Sequence, residues 1–135
     1  AWSRYAEIAV KRVLTRDGAS AVRRAFVGSA VNRDRFTRAD LDVYAEAAQR
    51  PGAMTAMLNW YRAAFRGGMP RDWPVIETPT LMIWGEKDIA LDRRTVDGTE
   101  AYVRDFTLKT LPNASHWVQQ DAPDEVNGIL REWLA

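Results

Sequence analysis

The sequence predicts an α/β fold, in which a helical region is followed by a parallel strand pair and its helices. Three observations carry this. Before residue 72, apolar residues recur at steps of three and four, the helical period. Residues 80–84 then form a continuous apolar run between Pro79 and Gly85, the pattern of a strand buried on both faces. Near the C-terminus, Val126, Ile129, Leu130, Trp133 and Leu134 form a stripe behind Pro123, Asp124 and Glu125, as in an amphipathic helix with a favourable first turn.

Taken in order, Ser3 can cap a helix in which Ile8, Ala9, Arg12 and Val13 continue at helical spacing. A second short helix is expected over about residues 19–28, ending near Gly28. Thr37-Arg38-Ala39-Asp40 has the form of a capping box, with Asp in place of the usual Glu or Gln. The helix that follows carries Leu41, Tyr44, Ala45 and Ala48 on one stripe, and Pro51-Gly52 breaks it. Met54, Met57, Leu58, Tyr61 and Phe65 mark one face of the next helix, which Gly67-Gly68 ends. Met69 to Pro79 reads as a loop. After the strand at residues 80–84, residues 92–103 are expected to form a helix weakened by Gly98. Phe106, Leu108 and Leu111 give a second, partly alternating strand. Strand, helix, strand, helix implies a parallel pair with a right-handed crossover. Two strands alone make a poor sheet, which suggests that part of the fold is missing.

The 135 residues fit a single-domain size and are 47% apolar and 27% charged, ordinary for a globular protein. The absence of cysteine excludes disulfides and thiolate metal sites. No signal peptide and no membrane-length apolar run is visible, and a cytoplasmic protein is expected. The chain begins without methionine, as a processed, trimmed or partial sequence does. Net charge is +1 but uneven: residues 1–72 balance to +6 and residues 73–135 to −5. This asymmetry suggests two regions, 1–72 and 73–135. The arginines of the first are scattered among helical positions, as on solvated helix faces, so no nucleic-acid partner is expected.

The chemistry centres on His116, the only histidine. An imidazole accepts and returns protons near neutral pH. A carboxylate gripping one ring nitrogen fixes the tautomer and leaves the other nitrogen free as general base. Asp88, in Gly85-Glu86-Lys87-Asp88, follows the first strand, and His116 follows the second. In α/β sheets ligands gather beyond the carboxyl ends of the strands, and neighbouring parallel strands bring both residues to one edge. Either residue alone reads as an ordinary turn aspartate or as a loop histidine bonded to backbone. Their joint placement points to a functional pair.

These residues also carry a resemblance. Residues 79–88, Pro-Thr-Leu-Met-Ile-Trp-Gly-Glu-Lys-Asp, resemble the acid-bearing strand and turn of α/β-hydrolases. Residues 115–127, Ser-His-Trp-Val-Gln-Gln-Asp-Ala-Pro-Asp-Glu-Val-Asn, resemble the histidine segment of their epoxide hydrolase branch. Leu58-Asn59-Trp60-Tyr61-Arg62, shortly after Arg50-Pro51-Gly52, is similar to that branch's lid helix.

The resemblance implies a partial fold: a helical lid (cap) over residues 1–72, then the last two strands and helices of an α/β-hydrolase core over 73–135. It implies that Asp88 is the triad acid and that His116 activates water to hydrolyse a covalent alkyl-enzyme ester. Tyr61 would donate a hydrogen bond to the epoxide oxygen as the ring opens, although the residues alone also allow a core tyrosine. Trp84 and Trp117 read as packing residues, and Met54 and Met57 as core filling. No cofactor or metal is implied.

No Gly-x-Ser-x-Gly or Gly-x-Asp-x-Gly elbow occurs, so the nucleophile and the earlier strands are expected to lie outside these residues. The expected partners are a small apolar epoxide and the missing N-terminal half of the core, with a homo-oligomer possible and no membrane contact. Alternatives are a haloalkane or haloacid dehalogenase, a serine esterase of the same fold, or a non-catalytic module that binds through the surface where missing strands would dock.

Overall fold

A computed structural model describes residues 4–66 and 73–135, with the side chains of residues 4–7, 64 and 65 outside the description. The expected Ser3 cap, the Gly67-Gly68 stop and the side chain of Phe65 therefore lie outside the described residues. The chain divides into two compact units, one within Ala1–Val27 and Thr37–Pro70, the other within Gly28–Phe36 and Arg71–Ala135.

Helices build the first unit. Helix α1 spans Arg4–Ser29 but is broken at Arg16–Ala19, where Arg16 is extended and Asp17, Gly18 and Ala19 take left-handed backbone angles. The expected second helix from about residue 19 is thus the continuation of α1 after this break. A left-handed conformation costs about 1–2 kcal/mol for a residue with a Cβ. At Ala19 the cost is offset by burial, because its methyl group joins Ala45, Ala48 and Met54 in the small core, with Leu14, Val22 and Leu58 packed around it.

Helix α2 (Arg38–Gln49) opens on the anticipated capping box. The Asp40 amide donates to the Thr37 hydroxyl at 3.2 Å, and the Thr37 amide donates to the Asp40 carboxylate at 3.0 Å. Asp therefore serves where Glu or Gln is usual. Thr37→Ala is expected to cost about 1 kcal/mol, read as a lower urea midpoint for this unit. From α1, Arg23 reaches across to Asp42 of α2 through Nε at 3.0 Å and Nη2 at 2.7 Å, and the Phe26 ring stacks on Tyr44 at 4.2 Å.

Helix α3 (Ala53–Arg66) buries Met54 and half-buries Leu58. Met57 and Tyr61, expected on the same inward face, are exposed. The reason lies in the core: alanine-built and narrow, it covers only the first turns of the stripe.

Elements of the second unit follow the expected order with one substitution. Strand β1 (Thr80–Gly85) pairs in parallel with β2 (Phe106–Leu111), with Thr80 opposite Phe106 and Gly85 opposite Leu111. A lone parallel bridge between Ile76 and Val103 extends the pairing into the predicted loop. Thr80 to Trp84 are half-buried rather than enclosed on both faces, because the described sheet has only two strands.

The predicted helix at 92–103 is absent among the described residues. The segment forms two 3₁₀ turns instead, Arg93–Thr95 and Thr99–Ala101. Local side chains outcompete the helix. Asp92 accepts from the Arg94 amide, and the Thr95 and Thr99 hydroxyls donate to the carbonyls of Asp92 and Val96. Gly98 separates the turns with φ of 86°, a left-handed position that suits glycine.

The one-turn helix α4 (Val118–Asp121) leads through Ala122 into α5 (Pro123–Leu134). Pro123 stands at the start of α5 as predicted, with Asp124 and Glu125 in the first turn and Val126 buried. The rest of its stripe grades outward to Leu134, which is exposed.

Candidate functional site

The pairing of β1 with β2 brings their two C-terminal loops together. Past the strands the loops remain joined through backbone: Glu86 N donates to Leu111 O and Lys87 N to Ala114 O, both at 3.0 Å. Gly85 makes this approach possible. A Cβ built there would lie 2.1 Å from the Ser115 carbonyl oxygen and 2.5 Å from that of Ala114. No larger residue fits without moving the backbone.

On this frame Asp88 and His116 meet, with Nδ1 of the imidazole 2.8 Å from Oδ2 of the carboxylate. The other carboxylate oxygen accepts the amides of Ala90 at 2.7 Å and Leu91 at 3.0 Å. Asp88 is thus both the turn aspartate that its composition suggested and the partner of the histidine. Its side chain is 5% exposed and that of His116 is 35% exposed, so the acid is shielded while the ring keeps solvent access. Burial pushes the Asp88 carboxyl up, but the His116 bond, the Leu91 and Ala90 amides and the imidazole charge outweigh it. They hold the carboxyl below the usual carboxylate range. An ionised carboxylate that accepts at Nδ1 selects the tautomer with Nδ1–H and leaves Nε2 as a base.

The imidazole is flanked by Trp117, whose ring lies edge-on at 5.0 Å and 81°. The indole Nε1 donates to the Ser29 hydroxyl at 2.7 Å. Trp117 and Trp84 are both half-buried, as packing residues are.

Tyr61, the third predicted site residue, belongs to the first unit. It lies on α3, 61% exposed, with its ring edge-on to Trp60 at 5.5 Å. It is no core tyrosine. Among the described residues no group of three or more His, Cys, Asp or Glu side chains is placed to hold a metal ion. No helix among them is long and apolar enough to cross a membrane.

Two features escaped the sequence. The space requirement at Gly85 depends on a loop about thirty residues later, and nothing local to Gly85 announces it. Asp121 is buried, and its carboxylate accepts the amides of Ser115 at 2.7 Å and Asn32 at 2.9 Å. Its position inside the histidine segment was the only available signal. Asn32, 89 residues away, gave none.

An acid after one parallel strand and a histidine after the next is the arrangement that the resemblance to α/β-hydrolases implies. The family model "Alpha/beta hydrolase family" matches residues 2–129, and this chain belongs to that family. Its similarity runs to the epoxide hydrolase-like branch. It is 38% identical over 100 residues to epoxide hydrolase 4 of Mus musculus, covering 73% of this chain and 28% of that protein. It is 42% identical over 100 residues to the AB hydrolase superfamily protein YfhM of Bacillus subtilis (strain 168), covering 73% of this chain and 35% of that one. Among solved structures, an inhibitor complex of Bacillus megaterium epoxide hydrolase matches with a TM-score of 0.78 and 27% identity. That match covers 93% of this chain and 47% of the other. The chain therefore spans about a third or less of these two curated relatives and about half of the solved structure.

Proposed function

We propose that this chain supplies the lid and the acid–histidine half of an epoxide hydrolase, which opens a small apolar epoxide to a vicinal diol. The 2.8 Å bond between Asp88 and His116 Nδ1 supports the reading most directly, since it leaves Nε2 to act as base. In the proposed reaction a carboxylate nucleophile, supplied from outside these residues, attacks an epoxide carbon. The ring C–O bond breaks, and Tyr61 donates its hydroxyl proton to the departing oxygen. Nε2 of His116 then takes a proton from water as that water attacks the ester carbonyl. The ester C–O bond breaks, the leaving diol oxygen takes this proton back from His116, and the second proton of the added water passes through solvent to the Tyr61 phenolate as the carboxylate is restored. Asp88 holds the ring and stabilises its transient positive charge. Residues 1–72 would form the lid, and 73–135 the end of the core. Such a protein would be cytoplasmic, cofactor-free and without nucleic-acid or membrane partners.

A chimera tests this reading: the chain replaces the part of the Bacillus megaterium epoxide hydrolase that it matches. Diol formation from an aryl epoxide is expected, and His116→Ala in the chimera should accumulate the covalent ester, visible as added mass on the intact protein. A folded chimera that opens epoxides and shows no trapped ester with His116→Ala would sink the proposed role of His116. The 135-residue chain alone is expected to show no turnover, because it contains no nucleophile elbow. Turnover by the purified chain that vanishes with His116→Ala would overturn that expectation.

A further inference from the structure

The proposed reaction makes no use of Asp121, a buried residue at 3% exposure. Burying a carboxylate is expensive unless its oxygens are satisfied. Here both are, and by neutral donors. Oδ2 accepts the Ser115 amide at 2.7 Å, and Oδ1 accepts the Asn32 amide at 2.9 Å. The Asn32 side chain returns a bond to the Asp121 carbonyl at 2.7 Å. Burial pushes the carboxyl up, but bonds from Ser115, Asn32 and Val31 outweigh it and keep it below the usual range. Bonds from N–H groups to an ionised acceptor are short and about twice as strong as neutral ones.

The location of these bonds gives them a consequence. Ser115 is fully buried and immediately precedes His116. Its hydroxyl accepts the Trp117 amide at 3.2 Å, and the Trp117 indole is tied to Ser29. The backbone on both sides of the imidazole is thereby fixed, and the chain of bonds begins at Asp121. A displacement of about 1 Å would stretch the 2.8 Å contact with Asp88 beyond hydrogen-bond range. We propose that Asp121 is the positioning residue of the site, holding His116 against Asp88 through the backbone amide of Ser115 and anchoring that loop to the segment around Asn32.

The proposal rests on reading Asp88 and His116 as an acid–base pair, and the experiment separates the two. Because His116 is the only histidine, its ring nitrogens give unique NMR signals in the 135-residue chain. Where the ring is neutral, their shifts report the ratio of the Nδ1–H to the Nε2–H tautomer. Asp121→Asn, which keeps one acceptor oxygen but puts an amide donor against one of the two backbone donors, is expected to lower that ratio in the folded protein roughly two- to tenfold, the span of one net hydrogen bond. Asp121→Ser, which keeps a single short acceptor, should lower it in the same direction. Asp88→Asn is the reference that changes the ratio directly. If Asp88→Asn leaves the ratio unchanged, the pair itself fails. If Asp88→Asn changes it but folded Asp121→Asn or Asp121→Ser retains the wild-type ratio, the positioning role alone is overturned. Loss of folding by both Asp121 variants would assign the residue to stability alone, and would overturn the role equally.

Discussion

Gly85→Ala is expected to cost about 3 kcal/mol, the upper end for inserting a methyl group into a filled site. The cause is space, not backbone freedom, because Gly85 does not adopt a positive φ. The added carbon would sit 2.1 Å and 2.5 Å from two carbonyl oxygens, and backbone yields far less readily than the end of a side chain. Either β1 or the 114–115 loop must move. The second movement would break the Lys87 to Ala114 bond and draw His116 away from Asp88. The check is a urea midpoint for the variant, together with the ring signals of His116. Gly128→Ala is the control, since a Cβ there meets nothing within 4 Å and the site lies in α5. That variant should gain about 0.5–1 kcal/mol, the helix-propensity difference between glycine and alanine. Equal effects from the two substitutions would remove the close approach at Gly85 from the account of the site.

The contrast between the two glycines shows which parts of this protein its sequence discloses. Local pattern was enough for the capping box at Thr37, the break at Pro51-Gly52, the two strands and the proline-started α5, because each depends on residues within a few positions. The Asp88–His116 pair was also legible, because parallel pairing turns a separation of 28 residues into adjacency. Residues 92–103 were misread. Their apolar positions permit a helix, but the period ignores what Asp92, Thr95 and Thr99 do with their own hydrogen bonds. The exposure of Met57 and Tyr61 depends on how far a narrow alanine core extends along α3, a tertiary quantity. Gly85 and Asp121 were invisible for the same reason. One depends on a carbonyl from the next loop, and the other on an amide 89 residues away.

Asp88→Asn should reduce ester hydrolysis by the chimera by a factor of roughly 10²–10⁴, the range that a positioned general base contributes. The substitution is nearly isosteric, so packing is retained and the loss is electronic. An amide oriented to accept from Nδ1 stabilises the imidazolium less than a carboxylate does, and one oriented to donate selects the wrong tautomer. Epoxide opening, the earlier step, should lose much less, so the variant should accumulate ester in burst experiments. A variant slowed equally in both steps would point to a role for Asp88 in substrate binding.

The same carboxyl sets an acid limit on stability. Its folded-state pKa is depressed, so its contribution is fully present above the unfolded value of about 3.9 and is lost as pH falls through the lower folded value. The stability difference between the wild-type chain and Asp88→Asn is therefore expected to persist from neutral pH down to about pH 4. Below about pH 4 it should narrow. Urea unfolding of both proteins across this range measures the difference directly. A difference that closed between pH 7 and 5 would mean that burial, rather than the bonds from His116, Leu91 and Ala90, governs Asp88, and that the acid is not held ionised for the histidine.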